Sequence, residues 1–257
     1  MPLPRAIGLA ALTVLELPPP EQVAVAAQAG YSHVGLRLIP VAGQTLPPFD
    51  PREVERRLAD TGVRVLDVEV FRVDAQTVVA AFEPVLELAG RFGATDLLAH
   101  GADSDHHRLA DRVGALCELA GRYGIAVNIE PMPWVEVSTV RKAKRLIDDA
   151  PGAFVLVDAI HFYREDNRLE ELAGVPHRYM QLCDARPERP ADMQELIRQA
   201  RGDRLFPGEG GLDLKALLAA LPADLPISVE IPVARKMEPL ERAMKAMQAT
   251  QKLLACA

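Results

Sequence analysis

Four side chains with oxygen donors stand at or near the ends of four successive apolar runs in the second half of the chain. They are Glu130, Asp158, Gln181 and Glu230. Carboxylates held together in a partly dry pocket are pushed toward their protonated forms unless a cation neutralises them. Because all four donors are hard oxygens, they suit Mn²⁺ or Mg²⁺ best, with Co²⁺ or Zn²⁺ as alternatives. These residues therefore predict a divalent metal site.

Glu130 and Asp158, which directly follow their apolar runs, also have a purely structural interpretation. A carboxylate after a strand can accept hydrogen bonds from the free backbone amides at the start of the next helix. That interpretation applies to each carboxylate singly. The recurrence of oxygen donors at the ends of successive runs favours the metal site.

The elements that must position these side chains are short apolar runs that alternate with longer segments of helical spacing. This pattern is typical of βα units and a parallel sheet. Two helices, 191–200 and 212–220, are predicted in the longer gap before the last strand. The eight predicted strands are Ala6–Ala10, His33–Leu38, Arg64–Val70, Asp96–His100, Ala126–Glu130, Phe154–Asp158, Tyr179–Cys183 and Ile227–Ile231.

The helix boundaries carry local signals of their own. Asp50-Pro51-Arg52-Glu53 predicts a helix start, because Asp50 can accept from free amides and proline has no amide to leave unpaired. Between Leu109 and Ala120, apolar residues recur at three- or four-residue spacing, and Gly124 suits a left-handed helix end. We expect these helices to pack one face against the sheet.

Eight strands, each followed by a helix, predict a single (β/α)₈ TIM barrel over residues 1–257. The alternative is an open doubly wound sheet, but the first turn, Ala10-Ala11-Leu12-Thr13, lacks the glycine-rich nucleotide motif. In a barrel, the carboxyl ends of the strands form the active site, so the four oxygen donors should converge there. The further pocket candidates are His100, Trp134, Arg37 and Glu69.

Composition excludes several classes of partner. The chain has 257 residues, 49% of them hydrophobic, and a net charge of −7, which disfavours nucleic acid and anionic membranes. Its three cysteines show no paired spacing, which favours a reducing compartment. Without a secretory signal or an apolar run of roughly 20 residues, the sequence predicts a cytoplasmic protein with a small-molecule substrate.

Five segments resemble the xylose isomerase-like barrels of the sugar phosphate isomerase/epimerase group, near the ketose 3-epimerases. The resemblance covers nearly the whole chain and implies a barrel enzyme whose metal is held by the four oxygen donors. The ketose 3-epimerases usually carry histidine where this chain has Gln181. A glutamine at this position resembles the related 3-dehydroshikimate dehydratases. The segments are Asn128–Pro131, Val157–His161, Gln181–Arg186, Pro207–Gly211 and Ser228–Pro232.

The resemblance also implies three residues that contact the substrate. His161 stands three residues after Asp158, Glu136 stands six residues after Glu130, and Arg186 follows the seventh strand. Barrels of this group often pair, so a homodimer is expected by analogy.

The implied chemistry is proton transfer through an enediolate. A metal that binds a carbonyl and its neighbouring hydroxyl makes the adjacent carbon more acidic, and Glu130 and Glu230 would act as base and acid. Return of the proton to the opposite face is epimerisation, and return to the neighbouring carbon is isomerisation. Loss of a hydroxyl instead makes the enzyme a dehydratase, which is the alternative.

The expected substrate is a sugar or a polyhydroxy keto acid. The turn Gly208-Glu209-Gly210-Gly211 is similar to a phosphate-binding turn, but Glu209 would repel phosphate. Two other functions stay open as contrasts. Repair endonucleases with this barrel need a histidine-rich zinc site and a basic face, and six histidines in an acidic chain supply neither well. A catalytically inactive barrel that only binds a ligand is the other contrast.

Overall fold

Parallel strands alternate with helices along most of the chain. The computed structural model describes residues 5–41 and 45–256. Every strand pairs with its neighbours in parallel, in the order β6-β5-β4-β3-β2-β1-β9-β8-β7. The strands are β1 (Ile7–Leu9), β2 (His33–Arg37), β3 (Arg64–Val73), β4 (Asp96–Gly101), β5 (Ala126–Ile129), β6 (Ala153–Val155), β7 (Val157–Asp158), β8 (Met180–Leu182) and β9 (Ile227–Val229).

The sixth predicted strand, Phe154–Asp158, is divided at Leu156 into β6 and β7. β6 pairs with β5, whereas β7 pairs with β8, so the chain changes its partner strand at this point. The backbone amide of Leu156, between β6 and β7, still donates a hydrogen bond to the carbonyl of Ile129 in β5 at 2.9 Å. The sheet is therefore nearly closed, and the predicted TIM barrel is confirmed.

The helices cover the outside of the sheet and follow the sequence signals. Asp50 accepts a hydrogen bond from the amide of Arg52 at 3.0 Å, and Gly62 ends that helix with φ 71°. Gly124 adopts φ 74° after the helix His106–Gly121, which is the left-handed conformation predicted for it. The helices are α1 (Pro19–Gln28), α2 (Pro51–Thr61), α3 (Glu83–Arg91), α4 (His106–Gly121), α5 (Val140–Asp149), α6 (Ala159–Arg164), α7 (Met193–Gly202), α8 (Leu214–Ala219) and α9 (Pro239–Leu254).

Two apolar clusters hold the barrel together. The larger one lies between the strands and the surrounding helices. The smaller one comprises four buried residues: Leu66 in β3, Leu98 in β4, Leu156 between β6 and β7, and Tyr179 directly before β8. Leu98 also lines the cavity that opens at the carboxyl ends of the strands, so this cluster lies beneath that cavity. None of the helices in the described part of the chain combines the length and apolar character needed to cross a bilayer.

The loop after β8 is organised around the carboxylate of Asp184. Its Oδ2 accepts from the amides of Gly208 and Gly210, both at 3.0 Å, and its Oδ1 accepts from the amide of Leu212 at 3.1 Å. A Cβ at Gly210 would lie 2.3 Å from Oδ1, so only glycine fits there. The glycine-rich turn thus surrounds a carboxylate of the chain itself.

Candidate active site

A cavity of about 460 Å³ opens at the carboxyl ends of the strands. Its polar walls come from strand ends and from the loops and helices that follow them. Residues that lie on the strands or directly after them are Arg37, Glu69, Arg72, His100, Glu130 and Glu230. Residues from the loops and helices are Trp134, His161, Arg201 and Arg204. The predicted pocket candidates Arg37, Glu69, His100 and Trp134 all lie in this wall.

Glu130, Asp158 and His161 form the core of the candidate metal site. Glu130 directly follows β5, Asp158 ends β7, and His161 lies in the first turn of α6. One ligand atom from each lies within 4.8 Å of the other two. Nε2 of His161 is 3.7 Å from Oε1 of Glu130 and 4.0 Å from Oδ2 of Asp158. All three side chains are buried.

Gln181 and Glu230 complete the group of predicted donors. Nε2 of Gln181 donates to Oε1 of Glu230 at 3.0 Å. Oε1 of Gln181 is buried and finds no hydrogen-bond partner among the residues that the structure describes. An unsatisfied buried oxygen is costly, and coordination to a cation would satisfy it. The donor set of carboxylate and amide oxygens therefore fits a hard divalent cation.

Asp158 can act both as a helix cap and as a residue of the candidate metal site. Its Oδ1 accepts from the amide of Ile160 at 2.8 Å, which caps α6. Its Oδ2 accepts from Nη1 of Arg204 at 2.6 Å, so this second oxygen faces the site. The capping bond fixes the orientation of the carboxylate and leaves one oxygen for the site chemistry.

Arg204 is a site residue that the sequence reasoning missed. Nη1 lies 2.6 Å from Asp158, and Nη2 lies 2.6 Å from Oε2 of Glu230. Nε donates to the carbonyl of Ala200 at 2.6 Å, and the residue is only 3% exposed. Its charge thus offsets part of the negative charge that the carboxylates bring into the interior. A possible signal is its position three residues before Pro207, which begins the turn around Asp184.

Arg186 and Glu136, the other two residues implied by the resemblance, lie away from the cavity. Nη1 of Arg186 pairs with Asp203 at 2.9 Å, and the arginine side chain is 52% exposed. Glu136 is exposed, and its carboxylate lies 3.5 Å from Nζ of Lys142. The structure thus brings Glu130 and Asp158 together with His161, and Gln181 together with Glu230, but places neither Arg186 nor Glu136 in the cavity wall.

The carboxylates of the site differ in their tendency to ionise. Burial raises the pKa of Glu130 well above its usual value, and the charges of Asp158 and Glu230 raise it further. Burial also raises the pKa of Glu230 to about 8, although Arg204 opposes that shift. Burial acts to raise the pKa of Asp158 as well, but Arg204 and His161 lower it overall. The site therefore combines one readily ionised carboxylate with two that retain protons more readily.

Two histidines in the cavity wall are held neutral. Burial lowers the pKa of His161 to about 4, and its ring packs edge-on against Trp134 with the centroids 4.9 Å apart. Burial also lowers the pKa of His100 to about 4, and the charges of Arg72 and Arg201 lower it further. Near neutral pH, each imidazole can donate one hydrogen bond and accept another.

A buried ion pair closes another part of the wall. Nη2 of Arg37 lies 2.7 Å from Oε1 of Glu69, and both residues are buried. Glu69 acts electrostatically on Glu230, where it contributes to the raised pKa.

Together, the barrel and its buried carboxylates define a TIM-barrel protein with a candidate metal-dependent active site at the strand ends. The model of the xylose isomerase-like TIM barrel family matches residues 23–253. The chain belongs to that family.

Similarity to individual proteins extends along most of the chain. A 3-dehydroshikimate dehydratase from Pseudomonas aeruginosa is 27% identical over 240 residues, which cover 82% of this chain and 36% of the relative. The chain therefore spans about a third of the length of that curated relative.

Solved structures share the fold at lower identity. The IOLI protein with a bound zinc atom superposes with a TM-score of 0.79 at 16% identity and 98% coverage of both chains. A D-allulose 3-epimerase from Methylomonas sp. gives a TM-score of 0.71 at 18% identity, covering 98% of this chain and 99% of its own.

Proposed function

We propose that this protein is a divalent-metal-dependent sugar isomerase or epimerase, which removes and returns a proton beside the carbonyl of a hydroxylated substrate. The observation that carries the proposal is the pair Glu130 and Glu230. Both line the same cavity, both are almost fully buried, and both have raised pKa values. Two buried carboxyl groups of raised pKa in one cavity suit an acid and a base working in turn, one of them protonated while the other is ionised.

Glu130, Asp158, Gln181 and Glu230 would hold the cation, with His161 beside them. We propose Mn²⁺ or Mg²⁺, because the predicted donors are oxygens and one of them, Oε1 of Gln181, has no hydrogen-bond partner in the described part of the chain. A bound cation would polarise the substrate carbonyl and thereby acidify the neighbouring C–H bond. Side chains of the protein would transfer the proton and orient the substrate.

In the proposed reaction, the ionised member of the Glu130–Glu230 pair accepts the proton from carbon, and the protonated member donates one. Arg204 lies against Glu230 and can donate hydrogen bonds to a substrate oxygen as charge develops on it. His161, neutral and buried, can orient a hydroxyl. Trp134 packs on His161 and excludes water from that wall.

Hydrogen exchange tests this proposal directly. The Mn²⁺-loaded protein is incubated in D₂O with a panel of neutral ketoses and polyhydroxy keto acids, and we expect deuterium at the carbon next to the carbonyl in at least one of them. Glu130→Gln and Glu230→Gln should abolish exchange. Glu136→Gln is the matched control, because its side chain is exposed and lies outside the cavity. If no member of this panel exchanges with the loaded protein, the isomerase proposal is wrong.

A dehydratase is the second candidate, and two observations favour it. The amide of Gln181 occupies the position where the epimerases usually carry histidine, and the curated relative is named a 3-dehydroshikimate dehydratase. The same proton removal, followed by expulsion of a neighbouring hydroxyl, would yield water and an unsaturated product. Addition of 3-dehydroshikimate should then produce a new ultraviolet absorbance. An unchanged spectrum with the metal-loaded protein would exclude that substrate.

A further inference from the structure

His100 is a buried cavity residue for which the proposed reaction has no use. It is the next-to-last residue of β4, is 8% exposed and lines the cavity. Its Nδ1 is buried without a hydrogen-bond partner, and within the described part of the chain the ring makes no hydrogen bond. A buried imidazole without partners is costly. A ligand with a polar group at this wall would provide the missing partner.

Arg201 brings an unneutralised positive charge to the same wall. It lies on α7, and its guanidinium carbon is 5.8 Å from the centroid of the Trp134 ring. No ion pair joins Arg201 to any residue that the structure describes. Its charge disfavours protonation of His100, which places the two groups within electrostatic reach of each other.

Arg72 is a second guanidinium group of this wall, and its ion pair with Asp74 offsets its charge. Its Nε donates to Asp74 at 2.9 Å, and the described residues provide no partner for its two terminal nitrogens. Like Arg201, it lines the cavity and disfavours protonation of His100. Both guanidinium groups therefore share the cavity wall with the neutral imidazole and act on it electrostatically. Guanidinium groups have the planar donor geometry that matches a carboxylate.

The other charges of the cavity are already balanced. Arg37 pairs with Glu69, and Arg204 pairs with Asp158 and Glu230. Glu130 is the one remaining acidic residue of the wall, and it belongs to the candidate metal site. Arg72 pairs with Asp74, so Arg201 is the one arginine of the wall whose charge no ion pair within the described residues offsets, and a divalent cation in the metal site would add to this positive charge. Such a cavity favours an anionic ligand over a neutral one.

We infer that Arg72, His100 and Arg201 form an anion-binding subsite that holds a carboxylate of the substrate. The substrate is then a small polyhydroxy acid rather than a neutral sugar. This inference relies on the proposed function for the reaction, but the subsite can be tested by binding alone. Arg201 and Arg72 bind the carboxylate, and His100 donates a hydrogen bond to one of its oxygens.

Fluorescence of Trp134, the single tryptophan of the chain, provides a local measure of binding. The Mn²⁺-loaded protein is titrated with shikimate and with D-galacturonate, and in parallel with the neutral methyl ester of each. At least one acid should bind about tenfold or more tightly than its ester, because only the acid offers a charged partner to the guanidinium groups. Equal affinity of acid and ester in both pairs would overturn the subsite.

Variants then locate the effect. Arg201→Gln and Arg72→Gln should each weaken binding of the acid by about tenfold and leave binding of the ester unchanged. Arg189→Gln is the charge-matched control, since Arg189 lies outside the cavity wall and pairs with Glu165 at 3.4 Å. If Arg189→Gln weakens binding as much as Arg201→Gln, the attraction is general and the subsite is wrong. Circular dichroism confirms that each variant is folded.

Two further outcomes separate the subsite from the proposed reaction. Inorganic phosphate that competes more strongly than either acid would overturn the assignment to a carboxylate. Selective binding of acids without deuterium exchange in any substrate would retain the subsite and contradict the proposed function. Exchange in a neutral ketose, with the same KM in the wild type and Arg201→Gln, would retain the function and overturn the subsite.

Discussion

Nη1 of Arg204 donates a hydrogen bond to Oδ2 of Asp158 at 2.6 Å, and both side chains are almost completely buried. Nη2 of the same guanidinium reaches Glu230, also at 2.6 Å. A buried carboxylate pair without a counter-charge would be strongly unfavourable. Arg204 supplies such a charge from within the chain, and a divalent cation at the neighbouring donors would supply more of it.

Replacement of Arg204 tests this arrangement. Arg204→Met should lower the free energy of unfolding of the metal-free protein by about 3–5 kcal/mol, because it leaves buried carboxylates without their partner. Addition of Mn²⁺ should raise the melting temperature of the variant more than that of the wild type, since the cation replaces part of the lost charge. Differential scanning calorimetry with and without Mn²⁺ measures both effects.

Arg186→Met provides the comparison for Arg204→Met. The Arg186 side chain is 52% exposed and pairs with Asp203, so its loss should cost at most about 1 kcal/mol. An equal response of the two variants to Mn²⁺ would show that Arg204 is not coupled to the metal site.

The amide of Gln181 should influence which metal binds. Gln181→His replaces a hard oxygen with an imidazole nitrogen, so the affinity for Zn²⁺ should rise relative to that for Mn²⁺. Gln181→Leu removes the donor and should weaken binding of both ions. Equilibrium dialysis against mixtures of the two ions, followed by elemental analysis, gives the ratio. An unchanged ratio in Gln181→His would mean that this side chain does not coordinate the ion.

The carboxylate of Asp184 should stabilise the loop that carries Arg204. Asp184→Asn places an amide group where a carboxylate oxygen accepts from backbone amides, and about 2–4 kcal/mol of stability should be lost. Urea denaturation measures the loss. Asp213→Asn is a suitable control, because Asp213 caps α8 with one exposed hydrogen bond and its change should cost about 1 kcal/mol or less. Similar losses in both variants would contradict the anchoring role.

The sequence was sufficient for the parts of the molecule that depend on local patterns. Strand and helix periodicity, the cap at Asp50 and the turn at Gly124 are set by neighbouring residues, and the structure confirms them. The convergence of Glu130 and Asp158 also followed from the sequence, because the carboxyl ends of parallel strands share one side of a barrel. The division at Leu156 did not, because it depends on which neighbour each half of the strand meets.

The position of Arg204 in the site could not be predicted from its sequence offset to the preceding strand. Its place is set by the pairing of Asp184 with Leu205, whose backbone amides and carbonyls bond at 2.9 and 2.8 Å. The connection between β8 and Leu205 includes α7, so an offset measured from the strand selects Arg186 instead. Only the tertiary pairing brings the later arginine back to the strand ends.

Acid sensitivity should report on the buried imidazole of His100. Burial, with Arg72 and Arg201, lowers its pKa from 6.5 to about 4 in the folded state. Between these values the unfolded chain binds a proton that the folded chain does not, so the contribution to stability is present above pH 6.5 and is lost toward pH 4. His100→Asn and His100→Gln should both remove this contribution. Their free energy of unfolding, relative to wild type, should rise by up to about 1.4 kcal/mol per pH unit of acidification. Urea denaturation at several pH values across this window, without divalent cations, measures the difference. Parallel profiles for the wild type and both variants would mean that His100 is not held neutral by its surroundings.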